Sequence, residues 1–143
     1  MNLRFAFAVN NDNLFQKKHF GDADKYLIYK YESSEILLES EEINKFKLLD
    51  EKKEHGSKRK GDTIIKFLKE KNVSVLVSRQ FGKNINMVNE HFIPVVISIE
   101  TPEEIRRILI KHIHWIEDEL KNKTSNFKLF TIKSAIMKTA IEK

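Results

Sequence analysis

Residues 25–43, KYLIYKYESSEILLESEEI, alternate apolar and polar positions over two runs of comparable length, with Ser33 and Ser34 between them. Period-two alternation is the signature of a half-buried strand, and two such runs joined by two small polar residues predict a β-hairpin. Upstream, LRFAFAVN at residues 3–10 is short, β-prone and apolar on both faces, as a central strand must be. Downstream the pattern changes. GDTIIKFLKEKN (61–72) places Ile64, Ile65, Phe67 and Leu68 at helical spacing, with Asp62 or Thr63 as the N-cap and Asn72 as a stop. VSVLVS (73–78) reads as a buried strand, residues 83–92 as a short helix starting near Asn84, and PVVISIE (94–100) as another buried strand. TPEEIRRILIKHIHWIEDEL (101–120) carries a capping box, Thr101 with Glu104, with Pro102 at the first helical position. Its inward stripe is Ile105, Ile108, Leu109, His112, Ile116 and Leu120.

The order is therefore β-β-β-α-β-α-β-α, an α/β domain over residues 1–120 with a mixed sheet of five strands. Between residues 44 and 60 charge dominates and an exposed loop is expected, tacked down by Phe46, Leu48 and Leu49. Residues 121–143 are expected to form a basic C-terminal appendage used for packing or self-association. Its first half could be a strand, whereas Leu129, Ile132, Ile136 and Ala140 fit one side of a helix.

Composition narrows the chemistry. The 143 residues include no cysteine, so neither a disulfide nor a thiolate-ligated metal site can form. Any metal must be held by histidine, carboxylate, methionine or backbone. Residues 1–120 are charge-neutral, and the net charge of +5 resides in the tail, where six lysines face one acid, Glu142. A basic tail attracts phosphates without sequence preference; a solubilising end is the preferred reading, and nucleic acid is not the expected partner. No apolar run approaches the roughly 20 residues of a bilayer span, and FAFAV near the start is too short for a signal peptide. A cytoplasmic protein is expected, with no membrane partner.

Among the histidines, His112 and His114 lie two apart and on a helix point about 200° away from each other, so they do not share a metal. His91 sits near a helix end, where it would serve the dipole. His19 and His55 differ: each stands in a polar, charged segment with a glycine one or two residues later, in HFG (19–21) and HG (55–56).

A first strand, an ND turn (Asn11, Asp12), HFG, YLIY, a hairpin, and HG before a helix form a series that resembles the dinitrogenase iron-molybdenum cofactor biosynthesis family over roughly residues 3–120. Where relatives are often glycine-rich, this chain has HGSKRKG and SRQFGKN. The resemblance implies a ribonuclease H-like fold, strand order 3-2-1-4-5 with helices on both faces. It further implies a non-catalytic carrier of an iron-molybdenum-sulfur cluster or related anionic metal cluster, linked to nitrogen fixation, with a cofactor-biosynthesis protein or metalloenzyme as partner. In that topology strands one and four are parallel neighbours at a switch point, where open α/β sheets bind ligands. His19, His55 and the loop after strand four then converge there. The implied site comprises His19, Phe20, Gly21, His55, Gly56, Lys58, Arg59, Arg79 and Lys83, with His19 and His55 as metal ligands and Asp22 or Asp24 orienting His19. The lysines and arginines would favour an anion beside a helix N-terminus.

A plainer reading stands beside this one. A histidine before Phe-Gly can simply fill a turn, with Gly21 supplying a backbone angle that other residues resist, and residues 58–60 can be a solvated basic run. Nuclease chemistry is not expected, because the first strand lacks the carboxylate that two-metal catalysis requires and no G-x-S-x-G motif occurs. The alternative to a carrier is a ligand-free interaction or regulatory protein that binds a partner, or a second copy, through its surface or tail.

Overall fold

The computed structural model describes residues 3–47, 58–82 and 85–139, with the backbone only at Lys58 and Arg59. β1 (Leu3–Val9) leads through a long connection to β2 (Lys25–Glu32) and β3 (Glu35–Ile43), followed by α1 (Lys58–Glu70), β4 (Val75–Ser78), α2 (Ile85–Val88) and β5 (Ile93–Ile97). Two consecutive helices, α3 (Pro102–Lys111) and α4 (Ile113–Asn122), precede β6 (Phe130–Lys133) and β7 (Ile136–Thr139). No described helix is long and apolar enough to cross a membrane.

The hairpin forms as its alternation requires. Ser33 and Ser34 both have positive φ, 53° and 65°, the twist of a tight turn that continues the right-handed twist of the strands. β1 pairs antiparallel with β2, with Leu3 opposite Tyr31 and Val9 opposite Lys25. On its other side it pairs parallel with β4, with Phe5 opposite Val75. In β3, Ser40 faces Ile28 while Leu38 faces Tyr29, so Glu39 is an extra residue in the ladder. The carboxylate of Glu39 accepts two bonds from Arg4 on β1, at 2.8 and 3.2 Å.

Among the described residues the mixed sheet has seven strands rather than five, in the order β3-β2-β1-β4-β5-β6-β7, which contains the expected 3-2-1-4-5 segment. The additional pair comes from residues 130–139. In a five-stranded sheet β5 would be an edge presenting Val95 and Ile97; here β6 lies parallel to it, with Phe130 opposite Val95 and Ile132 opposite Ile97. Phe130, Ile132 and Met137 are buried while Lys133 and Lys138 are exposed. That is a period of two, and Ser134 and Ala135, with φ of 52° and 63°, make the reversal. The helical spacing of Leu129, Ile132 and Ile136 is thus coincidental within the described residues.

The sheet separates two apolar layers. Odd-numbered β1 residues, Leu3, Phe5, Phe7 and Val9, face α3 and α4, whose Ile105, Leu109 and Ile116 are fully buried. Arg106 locks this layer to the edge: its guanidinium donates to the Ile36 carbonyl at 3.0 and 2.7 Å and lies 5.2 Å from the centre of the Tyr29 ring. Even-numbered Ala6 and Ala8 face the opposite way, under Ile64 and Leu68 of α1 and Val88 of α2. Helices therefore cover both faces.

Two boundaries differ from the sequence reading. α1 begins at Lys58, so Lys58, Arg59 and Lys60 form its first turn and do not precede a cap at Asp62 or Thr63. Basic residues oppose the helix dipole at that end, which is why the pattern pointed further on. The last helix is broken at His112 (φ −115°, ψ 23°), which ends α3 and precedes α4. The His112 ring packs 4.4 Å from that of Trp115, and the buried stripe continues across the break. Burial, the main cause, lowers the pKa of that imidazole. At the start of α3 the capping box is complete, with Glu104 N–H donating to Thr101 Oγ1 at 3.2 Å and Thr101 N–H to Glu104 Oε1 at 3.0 Å.

Candidate functional site

β1 and β4 point the same way and end side by side, so the segments that leave them must run together over one sheet edge. They do so in a short parallel pairing of His19 with Gln80, in which Phe20 N–H donates to the Gln80 carbonyl at 2.8 Å. The buried Ser78 hydroxyl donates to the same carbonyl at 2.9 Å. Beyond this contact, residues 20–22 make a single tight helical turn.

That turn is fastened from below. Phe20 is 4% exposed, its ring stacked between Tyr26 at 4.8 Å and Phe81 at 5.7 Å. The Tyr26 hydroxyl donates to the Phe20 carbonyl at 2.9 Å, and full burial pushes its pKa far up, so it remains a donor. Asn44, at the end of β3, donates to the carbonyls of Gly21 at 2.9 Å and Ala23 at 2.8 Å, while its own Oδ1 accepts from Phe46 N–H at 3.0 Å. Both orphan carbonyls of the turn are thereby satisfied.

His19 lies on the exposed side of this clamp. Its ring rests on Gly82: a Cβ at that position would stand 2.7 Å from Nδ1, 2.8 Å from Cε1 and 3.1 Å from Cγ. Gly82 also has φ +69°, a conformation that glycine adopts without strain, so a side chain there would carry a backbone cost and displace the imidazole. Gly21, to which the sequence assigned that role, has no positive φ, and a Cβ on it would make ordinary contacts with Ile64 at 3.5 Å and Lys60 at 3.7 Å.

The carboxylates expected to orient His19 are engaged by lysines. Asp22 accepts from Lys60 Nζ at 2.6 Å, and Asp24 pairs with Lys47, a bond that holds the Asp24 carboxyl below the usual carboxylate range. The Lys60 ammonium also donates to the Lys47 carbonyl at 3.0 Å, and its side chain is only 11% exposed. It is a fixed, largely buried charge at the start of α1, not a solvated one.

These elements frame a cleft of about 370 Å³ between α1 and α2. His19, Phe20, Gly21, Asp22 and Lys60 are at its polar end, and Leu68 and Leu76 contribute to its apolar part. Of the expected site residues, the structure thus brings His19, Phe20 and Gly21 together at the switch point. Arg79 is half-buried in the connection after β4. His55, Gly56 and Lys83, and the side chains of Lys58 and Arg59, lie outside the described residues. Among the described residues no cluster of three or more His, Asp or Glu side chains is arranged to hold a metal ion. The donor set on view suits one-point attachment through an imidazole, not a chelate.

Gly82, Asn44, Tyr26 and Gln80 were missed by sequence reasoning. A signal existed for the first, since Phe81-Gly82 repeats the Phe20-Gly21 pair in the neighbouring connection. Asn44 gives none, because a polar residue at a strand end is ordinary.

Comparison with known proteins adds one positive finding. The family model described as dinitrogenase iron-molybdenum cofactor matches residues 1–113, which run from β1 to the first residue of α4. A search of curated proteins and of solved structures finds no match. With most of its length, and every strand that borders the cleft, inside the matched region, the chain belongs to the dinitrogenase iron-molybdenum cofactor family.

Proposed function

We propose that this protein is a non-catalytic carrier that holds an iron-molybdenum-sulfur cluster, or a related anionic metal cluster, as cargo at the polar mouth of the cleft. The observation that carries the reading is the placement of His19: exposed, pressed onto Gly82, and anchored through Phe20 and Gln80 at the edge where β1 and β4 end. Neutral imidazole is a suitable ligand for iron and related metals. The fixed Lys60 ammonium, at the start of α1, biases the mouth toward anions. Membership in an iron-molybdenum cofactor family supports this class of cargo. His55 is proposed as a second ligand from the other side of the mouth.

In this reading the 3-2-1-4-5 core is a ribonuclease H-like scaffold, the protein works in the cytoplasm, and its partner is the cofactor-biosynthesis protein or metalloenzyme that gives or takes the cluster. Among the described residues β7 is the last strand of the sheet, with Ile136 56% exposed, and it is where the tail would associate with a partner or a second copy.

Anaerobic titration with an isolated iron-molybdenum-sulfur cluster tests the central step. The wild-type chain is expected to take up the cluster with a change in its visible absorption, and His19→Ala to lose most of that change while its far-ultraviolet circular dichroism is retained. Equal uptake by the two proteins would place the cargo elsewhere.

A further inference from the structure

β1, β4, β5 and β6 run parallel, and β3 points the same way through its antiparallel neighbour β2, so all five strands end along one side of the sheet. His19 stands at that side. Exposed apolar side chains gather there as well. Of the six large ones exposed among the described residues, four lie at or just beyond these strand ends: Leu14, Ile43, Ile99 and Ile136, 49 to 83% exposed. The other two, Leu37 and Leu38, lie further back along β3. One exposed isoleucine needs no explanation, but apolar side chains set among polar ones on one surface mark a contact site. From β3 to β7 this side covers six strand spacings, about 29 Å in all. That width suits the roughly 800 Å² that each partner buries in a standard protein interface.

The same side is basic, although residues 1–120 balance overall. Lys17, Lys18, Lys45 and Lys133 are exposed there, and none forms an ion pair among the described residues. Most nearby carboxylates are committed, Asp22 to Lys60, Asp24 to Lys47 and Glu41 to Lys25. Asp12 and Asp62 are exposed without an ion-pair partner among the described residues, so the lysines outnumber them two to one.

We propose that this side of the sheet is the docking surface for a partner protein whose contact face is acidic, with apolar side chains between the charges. The lysines steer such a face into place, and Ile99 and Ile136 supply the area that holds it. A second copy of this chain does not meet the requirement, because a two-fold contact through this surface sets its lysines against each other. Nucleic acid satisfies the lysines and leaves the isoleucines without a partner. The surface deepens the carrier reading, on which its purpose rests, since a partner docked here meets the cargo at His19; docking itself requires no cargo.

The test places the photo-cross-linker p-benzoylphenylalanine at Ile99, Ile136 or, as the control, the equally apolar Leu37, in the full-length protein produced in its native host. Illumination is expected to join one protein to positions 99 and 136 and not to 37, through a peptide rich in Asp and Glu. That protein, purified, should then bind the metal-free chain, so the binding result is independent of cluster uptake. Ile99→Asp, and Lys17→Glu combined with Lys133→Glu, should each weaken binding about tenfold or more, whereas Leu37→Asp leaves it unchanged. All of these positions are exposed, so the variants keep the fold. Added salt should weaken the wild-type complex. Cross-links only to a second copy or to nucleic acid, no excess at 99 and 136 over 37, or a complex indifferent to both Ile99→Asp and the charge reversals would each overturn the proposal.

Discussion

Gly82→Ala is expected to abolish cluster uptake almost as completely as removing the imidazole, although the substitution leaves every candidate ligand in the chain. The added methyl would stand 2.7 to 3.1 Å from three atoms of the His19 ring, and this exposed side chain escapes the contact by turning about its χ angles. At φ +69° an alanine also carries a backbone penalty of about 1–2 kcal/mol. In turning away, the imidazole leaves the position at the mouth that it holds against Gly82. Since His19 is exposed and Gly82 lies in a connection, the core stays intact. Urea denaturation should show a loss of roughly 1–2 kcal/mol, limited to the backbone strain. Gly21→Ala is the matched control for stability, because its methyl meets neighbours at 3.5 and 3.7 Å with no unusual backbone angle, and it should cost less than the Gly82 change. A Gly82→Ala protein that takes up cluster as the wild type does would show that the contact with His19 is incidental.

Asn44→Ala is expected to produce the largest loss of stability among polar substitutions near the cleft. Asn44 is 6% exposed, and its amide is the donor for both the Gly21 and Ala23 carbonyls, which lie on either side of Asp22. Alanine strands both acceptors and also releases Phe46 N–H. Leaving buried groups unpaired costs about 1–3 kcal/mol each, and partial rehydration of a turn close to the surface holds the total to roughly 2–4 kcal/mol. Urea denaturation gives the magnitude. Amide hydrogen exchange gives the location, with protection lost first in residues 20–24, where Asp24 N–H is bonded to the Val9 carbonyl. A loss below 1 kcal/mol, or one that leaves exchange in this turn unchanged, would mean that Tyr26 and the Phe20 stack hold it unaided.

These two residues also mark where the sequence stops being readable. The β2–β3 hairpin, the buried strands β4 and β5 and the capping box of α3 rest on local rules, namely alternation, turn residues and Thr101 with Glu104, so the succession of these elements along the chain is legible locally, whereas the lateral order 3-2-1-4-5 was implied by the family resemblance. The start of α1 does not, because Lys58, Arg59 and Lys60 violate the dipole preference; Lys60 is there because Asp22, distant in sequence, accepts its charge. The break at His112 is equally hidden, since the apolar spacing is unbroken through it. β6 and β7 need the exposed flank of β5 to explain them, and an appendage and an edge-covering hairpin have the same composition. At the cleft, His19, Phe20 and Gly21 could be singled out as a motif. That glycine's special angle belongs instead to Gly82 is a property of how two connections lie against each other, information that no single segment contains.

The most direct measurement is diffraction from anaerobically grown crystals of the cluster-loaded protein, with anomalous data collected at the iron absorption edge. The account predicts an anomalous peak at the polar end of the cleft, within bonding distance of a ring nitrogen of His19. A peak bound elsewhere on the molecule, with the His19 imidazole still resting on Gly82 and touching no metal, would contradict it.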